Sequence, residues 1–387
     1  MKTRCLAALL LGAVLLMSAA LASHAQSLEL KGEAAVLMDA QSGRILFEKN
    51  SQTPLPVASL TKIMTLTIVL EALDRGEVSL TDIITASEHA ASKRGSRIWL
   101  ETGEQMTLNE LLYAIAVGSA NDAAVAVAEY LAGSEQDFVT LMNKRAQELG
   151  LTNSYFLNST GLPPESGPEH TMTAQDAAHL ARHALTVPRL MDYVSTYEYK
   201  IRADTTGIPV LWNGNKLLRR YSGVDGIKTG FTTAAGYCMA VTAERDNLRL
   251  IAVVLGSPSD AAREEDVRTL LDYGFRRYHS YLVAARGSAF GSVQIWNGNP
   301  PEVQAVLDRD FRVTVERGRE AELTLEAELT PSLKAPLQHG VPVGMLRARF
   351  DDMVVGSVPL VVEGGVERAS YWSLLGRMIR SLAEAVF

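Results

Sequence analysis

Two β-hairpin signals about 190 residues apart, with helical pattern between them, constrain this chain more than any other feature. The first runs Ala35-Val36-Leu37-Met38, a Gln41-Ser42-Gly43 turn, then Ile45 and Phe47 alternating with Arg44, Leu46 and Glu48. The second pairs Tyr237–Val241 with Leu248–Leu255 across Arg245-Asp246-Asn247. The simplest arrangement is one antiparallel sheet assembled from both ends of a region, flanked by the intervening helices, which is an α+β domain. Helix starts inside that region are legible. Thr107 with Glu110 forms a capping box before Leu111, Leu112 and Ile115, and Thr173 with Asp176 resembles one before Ala177 and Leu180. After Pro54 and Pro56 a segment opened by Ser59 is apolar around most of its circumference as far as Gly76, which predicts a buried helix.

The texture changes after Tyr281 to short alternating runs separated by turns: Val293–Trp296, Val303–Leu307, Phe311–Val315, Leu323–Leu329, Val341–Phe350 and Met353–Val362. These predict a small all-β domain. The chain then ends in an amphipathic helix. Tyr371, Trp372, Leu375, Met378, Ile379, Leu382 and Val386 share one face, and Ser373, Arg377, Arg380, Ser381 and Glu384 the other. A free end carrying Trp and two Arg suits a membrane surface, with packing on the β domain as the alternative.

At the other end, Lys2 and Arg4 precede an apolar run of about 13 residues, Cys5–Met17, and a Ser23-His24-Ala25 step. A bilayer span needs about 20, so this reads as a secretory signal peptide over 1–25, with the mature chain starting near Gln26. Cleavage would remove Cys5 and leave Cys238, so no intramolecular disulfide is available in an oxidising compartment. The full chain has 37 Lys+Arg against 44 Asp+Glu. Losing Lys2 and Arg4 makes the mature balance 35 minus 44, or minus 9. With no basic run longer than two, nucleic acid is excluded as a partner. The domain scheme is therefore 1–25 signal peptide, 29–280 catalytic domain, 281–365 β-rich domain and 366–387 terminal helix.

Three short words carry the chemistry: Ser59-Leu60-Thr61-Lys62, Ser119-Ala120-Asn121 and Lys228-Thr229-Gly230. A spacing of three on a helix sets the Lys62 amine one turn from the Ser59 hydroxyl. That amine can act as a base only if burial or a nearby positive charge lowers its pKa from about 10.4; the apolar helix offers burial and Lys228 the charge. A helix start also favours an oxyanion on the Ser59 N–H. Ser119 offers a hydroxyl to pass protons and Asn121 an amide to orient a substrate. Lys228 and Thr229, at the beginning of an edge strand, can hold a carboxylate, with Gly230 allowing close backbone approach.

The trio resembles that of the penicillin-recognising serine acyltransferases. Nearly the whole chain is similar to low-molecular-weight penicillin-binding proteins of the D-alanyl-D-alanine carboxypeptidase kind, including the string Val224-Asp225-Gly226-Ile227-Lys228-Thr229-Gly230-Phe231-Thr232, the β domain and the terminal helix. The resemblance implies a transpeptidase/β-lactamase-like fold, and it implies Ser59 as acylated nucleophile with Lys62 as its base. It further implies Ser119 and Asn121 as relay and orienting groups, Lys228, Thr229 and Gly230 at the substrate carboxylate, a second oxyanion N–H from Phe231, and Arg263 near the carboxylate. Some relatives carry His where Phe231 stands, so an imidazole role is absent here. Arg263 reads equally as a surface ion pair.

The implied substrate is the D-Ala-D-Ala end of a peptidoglycan stem pentapeptide, with β-lactams as covalent inhibitors, no metal and no organic cofactor. The implied location is the periplasmic or extracytoplasmic face of the membrane, held peripherally by the terminal helix. Four alternatives stand beside this: a D,D-endopeptidase of cross-links, a class A-like β-lactamase using Glu165 or Glu169 in the Asn158–His170 loop, a metal hydrolase using His179 and His183, and a non-catalytic scaffold. Cys238 reads as a small buried hydrophobe, and Trp212-Asn213-Gly214-Asn215 as a turn or a cleft wall.

Overall fold

The computed structural model describes residues 28–164, 166–167, 170–202 and 210–386, with side chains through Arg380. The segment read as a signal peptide, and Glu165 and Glu169, lie outside the described residues. Five strands form the central antiparallel sheet: β1 (Ala34–Asp39), β2 (Ile45–Lys49), β3 (Val224–Thr232), β4 (Gly236–Arg245) and β5 (Leu248–Ser257), in the order β2-β1-β5-β4-β3. The sheet is thus closed by pairing β1 from the start of the region with β5 from its end, Val36 opposite Val253.

Both faces of this sheet are covered, which is why β1 is apolar without alternation from Ala34 to Met38 and buried at all six positions. Ala34, Val36 and Met38, with Ile251, Val253 and Leu255, face a block of helices: α1 (Lys62–Asp74), α2 (Leu108–Ala116), α3 (Asn121–Ala132), α4 (Glu135–Glu148) and α5 (Ala174–Ala184). The other face receives α6 (Asp260–Arg277), where Gly274 lets the helix approach so closely that a Cβ would sit 2.5 Å from Leu250 and 2.9 Å from Leu37. Capping follows the sequence signals. Thr107 and Glu110 form the full box on α2, whereas on α5 Thr173 caps the Asp176 N–H but the Asp176 carboxylate turns away to Asn153 and Ser154.

Two expectations need correction. Ile45 and Phe47 do not share a face: a bulge between Leu37 and Met38 shifts the register, so Ile45 packs toward the helical block while Phe47 meets Tyr273 of α6 edge-on, and Leu46 is the buried residue. Lys228 does not begin the edge strand. It lies in the middle of β3, which starts at Val224 and does form the sheet edge.

From α6 the chain runs directly into β6 (Tyr278–Ala284). The longer strands that follow, with one short one, are β7 (Ala289–Trp296), β8 (Glu302–Leu307), β9 (Phe311–Glu316), β10 (Thr324–Leu329), β11 (Ser332–Lys334), β12 (Pro342–Phe350) and β13 (Met353–Val362). They form a six-stranded sheet, β10-β12-β13-β8-β7-β11, and a β6-β9 pair around their own apolar core. A last helix, α7 (Tyr371–Val386), follows. The β region is tied back to β1. The buried Asp39 carboxylate accepts from the Thr314 hydroxyl at 2.9 Å and from the Ser42 N–H at 3.0 Å, while Arg44 donates to the Thr314 carbonyl at 2.9 Å.

Thr314→Val keeps the shape but leaves one carboxylate oxygen of Asp39 short of a donor. It is expected to lower unfolding free energy by about 1–3 kcal/mol, measured by chemical denaturation, with the active site unaffected.

Candidate active site

The site begins with a strained turn. Before α1 the chain makes a 3₁₀ turn, Ala58–Thr61, entered through Ala58 at φ +48°, a left-handed conformation costing roughly 1 kcal/mol for a residue with a Cβ. This turn sets Ser59 against the edge strand. A Cβ on Gly230 would lie 2.9 Å from the Val57 carbonyl oxygen and 3.0 Å from the Ser59 nitrogen, so only glycine permits β3 to pass this close. The turn is clamped from its other side by Gly161, at φ +80°, where a Cβ would stand 1.9 Å from the Ala58 oxygen.

Lys62 opens α1 and is fully buried. Its Nζ lies 3.0 Å from Ser59 Oγ, 2.6 Å from Asn121 Oδ1 and 2.8 Å from the Thr160 carbonyl oxygen. Two of these partners are carbonyl oxygens, which can only accept. A neutral amine has two N–H groups and one lone pair, so Asn121 and Thr160 take both hydrogens and the lone pair is left for the Ser59 hydroxyl. Burial above all, and then the positive charge of Lys228, push the Lys62 amine well below the ordinary lysine value; Asp122 pulls the other way.

Asn121 sits at the start of α3, after Ser119 in a left-handed bend at φ +56°. Both ends of its amide are engaged, since Nδ2 donates to the Arg94 carbonyl at 2.6 Å while Oδ1 receives Lys62. Asn121 thus holds the Lys62 amine through Oδ1, and the second hydrogen of Nδ2 leaves a donor for the substrate contact expected of it.

Lys228 is buried on β3, where its Nζ donates to the Thr229 carbonyl at 3.0 Å, and burial followed by the Arg263 charge pushes it down to about 7. Arg263 is not a surface residue. From α6 its guanidinium reaches behind β3 to the carbonyls of Gly230, 3.3 Å, and Cys238, 3.2 Å, and pairs with Asp260. Phe231 turns its ring outward over Tyr237, centroids 4.4 Å apart, with 54% of the residue exposed. Gly214 abuts the Thr229 hydroxyl, a Cβ there standing 2.7 Å from Oγ1. Its neighbour Asn213 is buried and serves the turn, accepting from the Asn215 N–H and donating to the Thr196 carbonyl.

The other singled-out residues lie elsewhere. His183 Nε2 is 2.6 Å from Glu71 and 3.1 Å from the Arg145 guanidinium, an ion-pair cluster at the far end of α1. Cys238 is fully buried and burial raises its thiol to about 11. The residues that sequence reasoning missed are those presenting backbone oxygens. Asn158 Oδ1 accepts from the N–H groups of Thr160 and Gly161 and from the Thr160 hydroxyl, folding the loop that aims the Thr160 carbonyl at Lys62. His170 braces the same loop, with Nδ1 accepting from the Leu157 N–H and Nε2 beside the Leu162 carbonyl; burial holds it neutral, pushed down to about 4. The readable trace of all this was the turn-forming Asn158-Ser159-Thr160-Gly161.

A serine whose hydroxyl faces the lone pair of a buried amine, beside an edge strand carrying a second buried lysine, defines a serine acyltransferase of the penicillin-recognising class. Comparison with known proteins agrees. Residues 20–259 match the D-alanyl-D-alanine carboxypeptidase family and residues 278–368 match the C-terminal domain of penicillin-binding protein 5. The D-alanyl-D-alanine carboxypeptidase DacF of Bacillus subtilis is 37% identical over 97% of each chain. Among solved structures, penicillin binding protein 5 from Haemophilus influenzae is 31% identical over 88% of this chain and 99% of its own, with TM-score 0.73. Penicillin-binding protein D2 from Listeria monocytogenes, solved in its ampicillin-bound form, is 32% identical over 64% of this chain and 99% of its own, with TM-score 0.56. The chain belongs to the D-alanyl-D-alanine carboxypeptidase family of low-molecular-weight penicillin-binding proteins, and it is a serine D-Ala-D-Ala carboxypeptidase.

With Lys62 as the base that the sequence leads one to expect, acylation by a penicillin is expected to fall as pH drops through the Lys62 pKa. Lys228→Gln removes the second-largest cause of that lowering, so the acid limb should move to higher pH, read from acylation rates across pH; a limb that stays in place contradicts the coupling.

Proposed function

We propose that Ser59 is the nucleophile and Lys62 its general base, and that the chain removes the terminal D-Ala of peptidoglycan stem pentapeptides. The single observation carrying this reading is the Lys62 amine held between two obligate acceptors with Ser59 Oγ at 3.0 Å. In the proposed sequence the lone pair of Lys62 takes the Ser59 proton as Oγ attacks the carbonyl between the two D-Ala residues. The oxyanion is received by the N–H groups of Ser59 and Phe231, which the close approach of Gly230 to the turn favours. The proton passes, by way of Ser119, to the departing amine, and D-Ala leaves. Water then hydrolyses the Ser59 ester.

Lys228 and Thr229 hold the substrate carboxylate, whose negative charge favours the ammonium form of Lys228 over the neutral one. Arg263 supports them through the Gly230 carbonyl and through its charge near Lys228. A β-lactam carries a strained amide and a carboxylate in similar places and acylates the same oxygen. The ampicillin-bound relative is in keeping with this. Such a substrate lies outside the cell membrane, so the enzyme works on the extracytoplasmic face after export.

The terminal helix α7 is the proposed peripheral anchor. Tyr371, Trp372, Met378 and Ile379 are between 57% and 77% exposed, an unpartnered apolar face, whereas Arg377 turns inward and donates to the Gly298 carbonyl at 2.9 Å. The β-rich segment, 281–365, is the proposed spacer between that anchor and the catalytic segment, 29–280. No helix among the described residues is long and apolar enough to cross a membrane.

Incubation with a D-Ala-D-Ala-terminated pentapeptide is expected to release free D-Ala, and incubation with penicillin to add the mass of the drug. Ser59→Ala should lose both, and labelling that persists in that variant would remove Ser59 from the mechanism. Cleavage of cross-linked dimers in preference to pentapeptide would instead favour the endopeptidase reading. Deleting residues 371–387 is expected to abolish co-sedimentation with phospholipid vesicles and leave the acylation rate unchanged; loss of activity would make α7 structural.

A further inference from the structure

The mechanism above uses the carbonyls of Thr160 and, through Asn121, of Arg94, and it leaves open what holds those two loops. One carboxylate touches both. Glu135, the first residue of α4, has a side chain only 11% exposed. Its Oε1 accepts from the Ser159 N–H at 3.1 Å and from the Ser159 hydroxyl at 2.8 Å. Its Oε2 accepts from Lys93 Nζ at 3.0 Å and lies 2.8 Å from His89 Nε2.

Two of these partners, Ser159 and Lys93, are one residue away from a group that acts on the base. Ser159 precedes Thr160, whose carbonyl receives Lys62 at 2.8 Å. Lys93 precedes Arg94, whose carbonyl receives Asn121 Nδ2 at 2.6 Å and so aims Asn121 Oδ1 at Lys62. The loop from Ser92 to Arg97 also receives the Asn121 backbone, through the Ser96 carbonyl at 2.7 Å. Hydrogen bonds from His89 and Ser159 and the Lys93 charge outweigh the burial that opposes ionisation, and they hold the Glu135 carboxyl below its ordinary value. It is therefore charged at neutral pH. An ionised carboxylate has acceptor capacity for all four donors, which a neutral side chain lacks.

We infer that Glu135 is a positioning residue for Lys62: it ties the 92–97 loop to the 158–161 loop and thereby fixes both carbonyl acceptors that turn the lysine lone pair toward Ser59. This rests on Lys62 being the base. Glu135 touches neither Ser59 nor Lys62, and it acts through the loops. Displacing either acceptor frees the amine to rotate and admits water to its pocket, which lowers the acylation rate and moves the Lys62 pKa back toward the ordinary lysine value. The grip on a carboxylate, on β3, is separate and should survive. The titratable groups facing Lys62 are Lys228 on β3, Asp122 on α3 and His170 before α5; of these His170 senses the Glu135 charge, which raises it, so removing that charge only holds His170 more firmly neutral.

The test is the pH dependence of penicillin acylation in the full chain, separating the acylation rate constant from the dissociation constant of the noncovalent complex. Glu135→Ala should lower the rate constant by about tenfold to a hundredfold, leave the dissociation constant within about twofold, and move the acid limb to higher pH. Glu135→Gln keeps an acceptor for Ser159 but loses the charge for Lys93, and should fall between the two; Lys93→Met should match it. If Glu135→Ala does not fold, the Gln and Met variants carry the test. An acid limb left in place in all folded variants, or a loss confined to the dissociation constant or the folded fraction, overturns this inference alone. A wild-type profile with no acid limb overturns Lys62 as the base, and this inference with it.

Discussion

Everything in this enzyme depends on keeping one lysine amine dry. Lys62 is buried at the head of an apolar helix, and a charged ammonium there would have to be taken out of water at a cost of several kcal/mol. Burial therefore favours the neutral form, whose two hydrogens Asn121 Oδ1 and the Thr160 carbonyl are placed to accept. The same burial that makes the residue hard to charge pushes its pKa well below the ordinary lysine value, which the proposed role as base requires. Lys228, buried nearby, adds like-charge repulsion and stands ready to pair with a carboxylate.

The surrounding structure can be understood as the means of bringing those groups together. Ser59 and Lys62, the proposed nucleophile and base, come from the chain just after the first hairpin, the second lysine from an edge strand some 170 residues later, and pairing of β1 with β5 puts both in one sheet-and-helix unit. Close approach is bought with glycine: Gly230 lets β3 pass the Ser59 backbone and Gly161 lets the loop before α5 press on Ala58. The β region is attached to the far hairpin through Asp39 and Thr314, away from Ser59.

Much of this was legible in the sequence, for definite reasons. Spacing of three placed Lys62 beside Ser59, apolar periodicity announced that α1 would be buried, and two hairpins framing a helical stretch announced the sheet. What stayed hidden was of two kinds. Backbone groups carry no residue signature, so the Thr160 and Arg94 carbonyls could not be found by type, and Glu135, which binds the loops bearing them, looked like one more acidic residue in a helix's first turn. Orientation was the other. Arg263 read equally as a surface ion pair and reaches inward to the Gly230 and Cys238 carbonyls, and Ile45 and Phe47 were expected on one face until a single bulge divided them. Neither a side-chain direction nor a bulge is written in composition or period.

The central claim concerns the charge of one amine, and nuclear magnetic resonance of lysine labelled at the ε-carbon, with Lys62→Met to assign the signal, reads it directly. The account predicts that the Lys62 resonance moves with pH far below the ordinary lysine range and that the amine is largely neutral where the enzyme is active. A Lys62 signal that titrates with the surface lysines, and stays charged throughout that range, would contradict it.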